Sequence, residues 1–230
     1  MPIIDQLQVI KTRMKTALDK SRRQNQTVRL VAVSKNVPVE SIQQAVAAGI
    51  TDFGENRVQE VLGKMPLLPS NIQWHFIGRI QSNKINKLEH GFSLIHSVDS
   101  FEVASKFSDR LTHRQDILLE VNTSEEDTKA GVPLNQVIAT IEKIMTLPQI
   151  HLRGLMTIGP YLRHAESTRA CFRNLHEILN QAKHVLDSRP EMQDLTELSM
   201  GMSHDYEVAI EEGATIIRVG TALFGMRPKI

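Results

Sequence analysis

The chain has one cysteine among its 230 residues, so no disulfide can form within it. That residue, Cys171, lies in the helical pattern ACFRNLHEIL and reads as a buried thiol in a reducing cytoplasm. Neither sign of charge dominates: 27 Lys and Arg face 26 Asp and Glu, which gives the phosphate backbone of nucleic acid nothing to bind. No apolar run approaches the roughly 18 residues that a membrane span needs. The start, MPIIDQLQVI, carries Asp5 where a secretory signal would carry cations ahead of an apolar stretch, and is not expected to be one. The histidines show no metal-ligand spacing, and no metal site is expected. No linker rich in Gly, Pro or Ser interrupts the chain, so one domain over residues 1–230 is expected. With 41% hydrophobic and 23% charged residues, the composition suffices for a sizeable core.

What is present is a repeat of strand and helix. Leu7, Ile10, Met14 and Leu18 fall at helical spacing in a first amphipathic helix, and VRLVAVSK (28–35) follows as a short apolar strand buried on both faces. Pro38 then opens a helix that ends near Gly49. The unit recurs with strands at DFGEN (52–56), WHFIG (74–78), SLIHSVDS (93–100), ILLEVNT (117–123), LRGLMTIG (152–159), ELSMGMS (197–203) and TIIRVGT (215–221). The helices between them include QSNKINKLEH after the third strand, a helix from Pro133 to Thr146 and a long one around 165–186. Eight alternating strands predict a parallel (βα)8 barrel of the TIM type with an extra N-terminal helix. An open doubly wound sheet is the alternative, but the first strand ends in SKNVP without the G-x-G-x-x-G turn that fold favours.

Barrels of this kind build their sites at the C-terminal ends of the strands. Lys35 ends the first strand with the parity of Val31 and Val33, where desolvation would expose a nucleophilic amine. A lysine that snorkels to solvent is an equally open reading. SMGMS and RVGT end the seventh and eighth strands, where many barrels bind phosphate, and Gly201 and Gly220 would let the backbone approach an anion. Alternatively Ser203 caps the next helix and Gly220 serves close packing. A strand-end lysine with a phosphate site fits a phosphate-bearing aldehyde cofactor, and it fits a Schiff-base aldolase of phosphosugars as well. His75 either reaches a cofactor ring or is a hydrogen-bonded core residue. The stretch SEEDTK (124–129) reads as a solvated loop.

AVSK at 32–35, FGENRVQE at 53–60, WHFIGRIQSNK at 74–84, LRGLMTIGP at 152–160, ELSMGMSHDYEVAIEEG at 197–213 and RVGTALFG at 218–225 resemble the pyridoxal phosphate homeostasis proteins. These are single-domain relatives of the barrel half of bacterial alanine racemase. The resemblance implies that pyridoxal 5'-phosphate (PLP) is held as an aldimine on Lys35. It also implies that Ser203, Gly220 and Thr221 hold the phosphate and that Arg218 faces the pyridine nitrogen. Asn56 and Met200 would lie beside the ring, Ser199 nearby and His75 below. A cation at the pyridine nitrogen weakens PLP as an electron sink. The implied role is therefore a reversible PLP carrier, without catalytic residues, that affects amino-acid and keto-acid pools. PLP-dependent apoenzymes are candidate recipients and a monomer is expected; a racemase of low activity is the alternative. Asn36, Arg57 and the HDY at 204–206 depart from the commoner family pattern without removing a proposed ligand.

Overall fold

A computed structural model describes residues 1–80, 85, 87–88, 91–124, 130–160 and 164–226. Apart from Ile85, Lys87 and Leu88, the expected helix after the third strand lies outside the described residues, as does all of SEEDTK but its first residue. The strands are β1 (Arg29–Val33), β2 (Asp52–Glu55), β3 (Gln73–Phe76), β4 (Leu94–Val98), β5 (Gln115–Asn122), β6 (Val132–Pro133), β7 (Ile150–Met156), β8 (Glu197–Ser199) and β9 (Ile216–Val219). Eight of them pair in parallel in the order β4-β3-β2-β1-β9-β8-β7-β5, and a β4–β5 pairing closes the ring. The ninth, β6, is a two-residue strand beside the end of β5, and its Pro133 is the residue read from sequence as the start of a helix. That helix, α5, begins only at Val137.

Two apolar clusters show why these residues make a barrel. Val31, Leu94, Leu118, Met156 and Ile216 form a buried cluster inside the ring, while neighbouring positions such as Ala32, Ile95, Leu119, Leu155 and Ile217 face the helices. Both faces of each strand are therefore covered, which explains continuous apolar runs in place of alternation. The helices are α1 (Ile3–Lys20), α2 (Val39–Ala47), α3 (Val58–Lys64), α4 (Phe101–Ser108), α5 (Val137–Ile144), α6 (Arg169–Val185), α7 (Tyr206–Glu211) and α8 (Thr221–Phe224). α1 buries Leu7, Ile10 and Ala17 and packs on α7 and α8, beside the seam between the first and last strands. Burying Leu7 and Ile10 contributes about 1.5–3 kcal/mol each, and Ala17 less, which helps hold the added helix to the barrel.

Candidate functional site

Lys35 leaves β1 in a turn fixed from behind. The Ser34 hydroxyl donates to Glu55 Oε1 (2.8 Å), and Lys64 Nζ donates to the Ser34 carbonyl (2.8 Å), to Glu55 Oε1 (2.6 Å) and to Glu60 Oε1 (2.7 Å). On the other side, the Asn36 amide donates to Glu60 Oε1 (2.6 Å), and Asn36 itself takes φ +55°, a value that asparagine tolerates better than most residues. The Lys35 side chain is exposed at the rim. Of the two readings left open for Lys35, this is the one in which the amine reaches solvent: parity aims the side chain along the inner face, but β1 ends two residues earlier.

The loop after β8 turns sharply at Gly201, where φ is +89° and a Cβ would lie 2.5 Å from Ala209 Cβ and 2.9 Å from Tyr206 Cα. Only glycine fits. That turn delivers Ser203 to the loop after β9, where the amides of Gly220 (3.1 Å) and Ala222 (3.2 Å) both donate to Ser203 Oγ. The capping reading of Ser203 is thereby excluded: α7 starts at Tyr206 behind Asp205, whose carboxylate accepts from the Met202 amide at 2.6 Å. Thr221 is exposed at the start of α8, and Asn56 is exposed at the end of β2. Met200 is different, for it is fully buried in the cluster facing the helices, so the structure does not bring its side chain to the mouth.

Arg218 lies inside the ring, 5% exposed, with Nη1 donating to Ser199 Oγ (2.6 Å) and Nη2 to the Thr157 carbonyl (2.8 Å). Burial pushes its guanidinium down to about 10, against the opposing pull of Glu120 and Asp205, so it stays a cation at neutral pH. Below it, Ser199 Oγ is 2.8 Å from His96 Nδ1, His96 Nε2 is 2.9 Å from His75 Nδ1, and His75 Nε2 is 3.0 Å from Asp52 Oδ1. His75 is thus a hydrogen-bonded interior residue. His96 is held well below the usual imidazole value, first by burial and then by His75 and Arg218, and is neutral. Sequence reasoning missed His96 and Lys64, and it missed Glu120, a buried carboxyl on β5 pushed up to about 7 by burial and by Asp99. For His96 and Glu120 the available signal was a polar residue within an apolar strand; Lys64, at the end of α3, carried none.

A sequence-family model described as alanine racemase, N-terminal domain, matches residues 6–228. A pyridoxal phosphate homeostasis protein of Aquifex aeolicus is 41% identical over 231 residues, with 99% of each chain covered. The chain belongs to the pyridoxal phosphate homeostasis protein family. Another family member, from Pseudomonas aeruginosa, is 39% identical over 98% of this chain and 96% of its own. PipY of Synechococcus elongatus PCC7942, solved with PLP bound, is 37% identical and superposes with a TM-score of 0.81 over 97% of this chain and 100% of its own. The residues present meet what such a family's cofactor demands. Two backbone amides converge on one hydroxyl, a donor set of the kind a phosphate takes, an amine stands exposed to solvent, and a buried cation is held on neutral oxygens.

Proposed function

We propose that this protein binds PLP reversibly and buffers or carries it, with Lys35 Nζ joined to the cofactor aldehyde by a carbon–nitrogen double bond that forms with loss of water. Ser203, Gly220 and Thr221 hold the phosphate, Arg218 stands by the pyridine nitrogen, Ser199 supports Arg218, and Asn56 flanks the ring. Met200 contributes only its backbone, and His75 acts from below. The observation that carries the reading is the convergence of the Gly220 and Ala222 amides on Ser203, in a chain whose relative PipY was solved with PLP bound. The bound cofactor supplies an electrophilic imine carbon; the chain keeps a permanent cation at the pyridine nitrogen, which opposes protonation there and favours carriage over carbanion chemistry. One domain, acting as a cytoplasmic monomer, supplies PLP to recipient apoenzymes.

The test is an absorption spectrum of the PLP-loaded protein, followed by borohydride reduction and peptide mass spectrometry. The expected result is a yellow protein with reduced PLP on Lys35, and no exchange of the alanine Cα hydrogen in deuterated water. Modification of a different lysine, or rapid racemisation of alanine, would defeat the assignment.

A further inference from the structure

From the proposed pyridine neighbour Arg218, a row of polar groups runs across the barrel interior to residues that the proposed PLP site does not use, His96 and Asp52. Arg218 (β9), Ser199 (β8), His96 (β4), His75 (β3) and Asp52 (β2) follow one another at 2.6, 2.8, 2.9 and 3.0 Å. The first four are at most 5% exposed, and Asp52 opens into a cavity of about 310 Å³ lined also by Arg29, Asp116, Arg153 and Glu197. The two ends fix the direction of every contact, since a guanidinium only donates and an ionised carboxylate only accepts. Burial would raise the Asp52 carboxyl, but hydrogen bonds from His75 and Thr51 outweigh it and hold the group below its ordinary value. Four contacts then use four hydrogens, one each from Arg218, Ser199, His96 and His75, with both imidazoles protonated at Nε2 and accepting at Nδ1. The reverse order would need a doubly protonated His75 and would leave the Ser199 hydroxyl without an acceptor in the chain.

We propose that His96 is a positioning residue for the cofactor site: by accepting the Ser199 hydroxyl hydrogen it turns the Ser199 lone pairs toward Arg218 and so fixes the guanidinium beneath the mouth. The acceptors that hold Arg218, Ser199 Oγ and the Thr157 carbonyl, are both neutral. A carboxylate bonded directly to the guanidinium would cancel its charge where the pyridine nitrogen is to lie; the chain places the negative end across the barrel at Asp52. His75 in turn fixes the ring of His96, edge to face at a centroid distance of 5.1 Å.

This inference rests on Arg218 being the neighbour of the pyridine nitrogen, so the experiment compares PLP with its analogue carrying carbon in place of that nitrogen. In His96→Leu, PLP affinity is expected to fall about tenfold, the equivalent of one lost hydrogen bond, while the analogue's affinity changes less than twofold. An equal loss for both ligands would overturn the positioning role. Nitrogen-15 shifts of the wild-type imidazoles are a second readout that needs no variant: both rings are expected as Nε2–H tautomers, and a hydrogen on His96 Nδ1 would overturn the proposed order. A wild type that binds no PLP would defeat the cofactor reading and the positioning role together, and the imidazole shifts would then report whether the chain itself exists.

Discussion

Glu120 shows how much one residue inside the ring can weigh on stability. Its carboxyl ionises at about 7 in the folded protein, against 4.5 for the free group, because burial and the nearby Asp99 charge oppose ionisation more than Arg218 and Arg79 assist it. The folded chain therefore holds a proton that the unfolded chain has lost anywhere between those two values. Stability from this group is complete below about 4.5 and declines as pH rises through 7, by roughly 3 kcal/mol in all. Glu120→Gln removes that dependence. Urea unfolding at pH 5 and pH 8 should show the variant gaining roughly 3 kcal/mol on the wild type between the two conditions; a constant difference would mean that Glu120 ionises normally.

Among the elements, the β1 turn and α3 are joined by Lys64, a cation only 8% exposed that ties Glu55, Glu60 and the Ser34 carbonyl together. Burial raises the Glu55 carboxyl, and Lys64 is its largest compensation. Lys64→Met strands that carboxylate in the interior, so a loss of about 3–5 kcal/mol in urea unfolding is expected, and Glu55→Gln in the same chain should restore much of it. From sequence, Glu60 and Lys64 look like an ordinary surface pair at helical spacing. Their burial depends on where Glu55 ends β2, which no local pattern carries. The eight barrel strands were legible for the opposite reason: residues such as Val31, Ile95, Leu119 and Ile217 are covered on one side by the barrel interior or on the other by helices, and that doubles the apolar signal. The turn that carries Ser203 to the Gly220 and Ala222 amides was legible too, because Gly201 marks backbone that must turn tightly. Met200 was not, since adjacency in sequence to Ser199 puts it on the opposite face of the strand. His75 and His96 stand 21 residues apart, and only the β3–β4 pairing brings them together.

At the scale of the whole molecule, the first barrel strand in sequence meets the last where β1 pairs with β9, with Val31 opposite Arg218 and Ala32 opposite Val219. The proposed site straddles that seam: Lys35 follows β1, while Arg218, Gly220 and Thr221 belong to β9 and the turn after it. A ligand held at both places fastens the first strand to the last. Hydrogen exchange should accordingly slow on PLP binding most at the β1 and β9 amides, and least on the far side around β5; uniform protection would place the ligand elsewhere. The same seam has a consequence for biosynthesis. Ribosomes make β1 before all the other strands and β9 after them, so Lys35 is made long before the residues proposed to hold the phosphate. If the site is as proposed, an unfinished nascent chain would offer PLP no more than any exposed lysine does and capture of the aldehyde would begin only once β9 joins β1, so cofactor uptake would report that synthesis has passed β9.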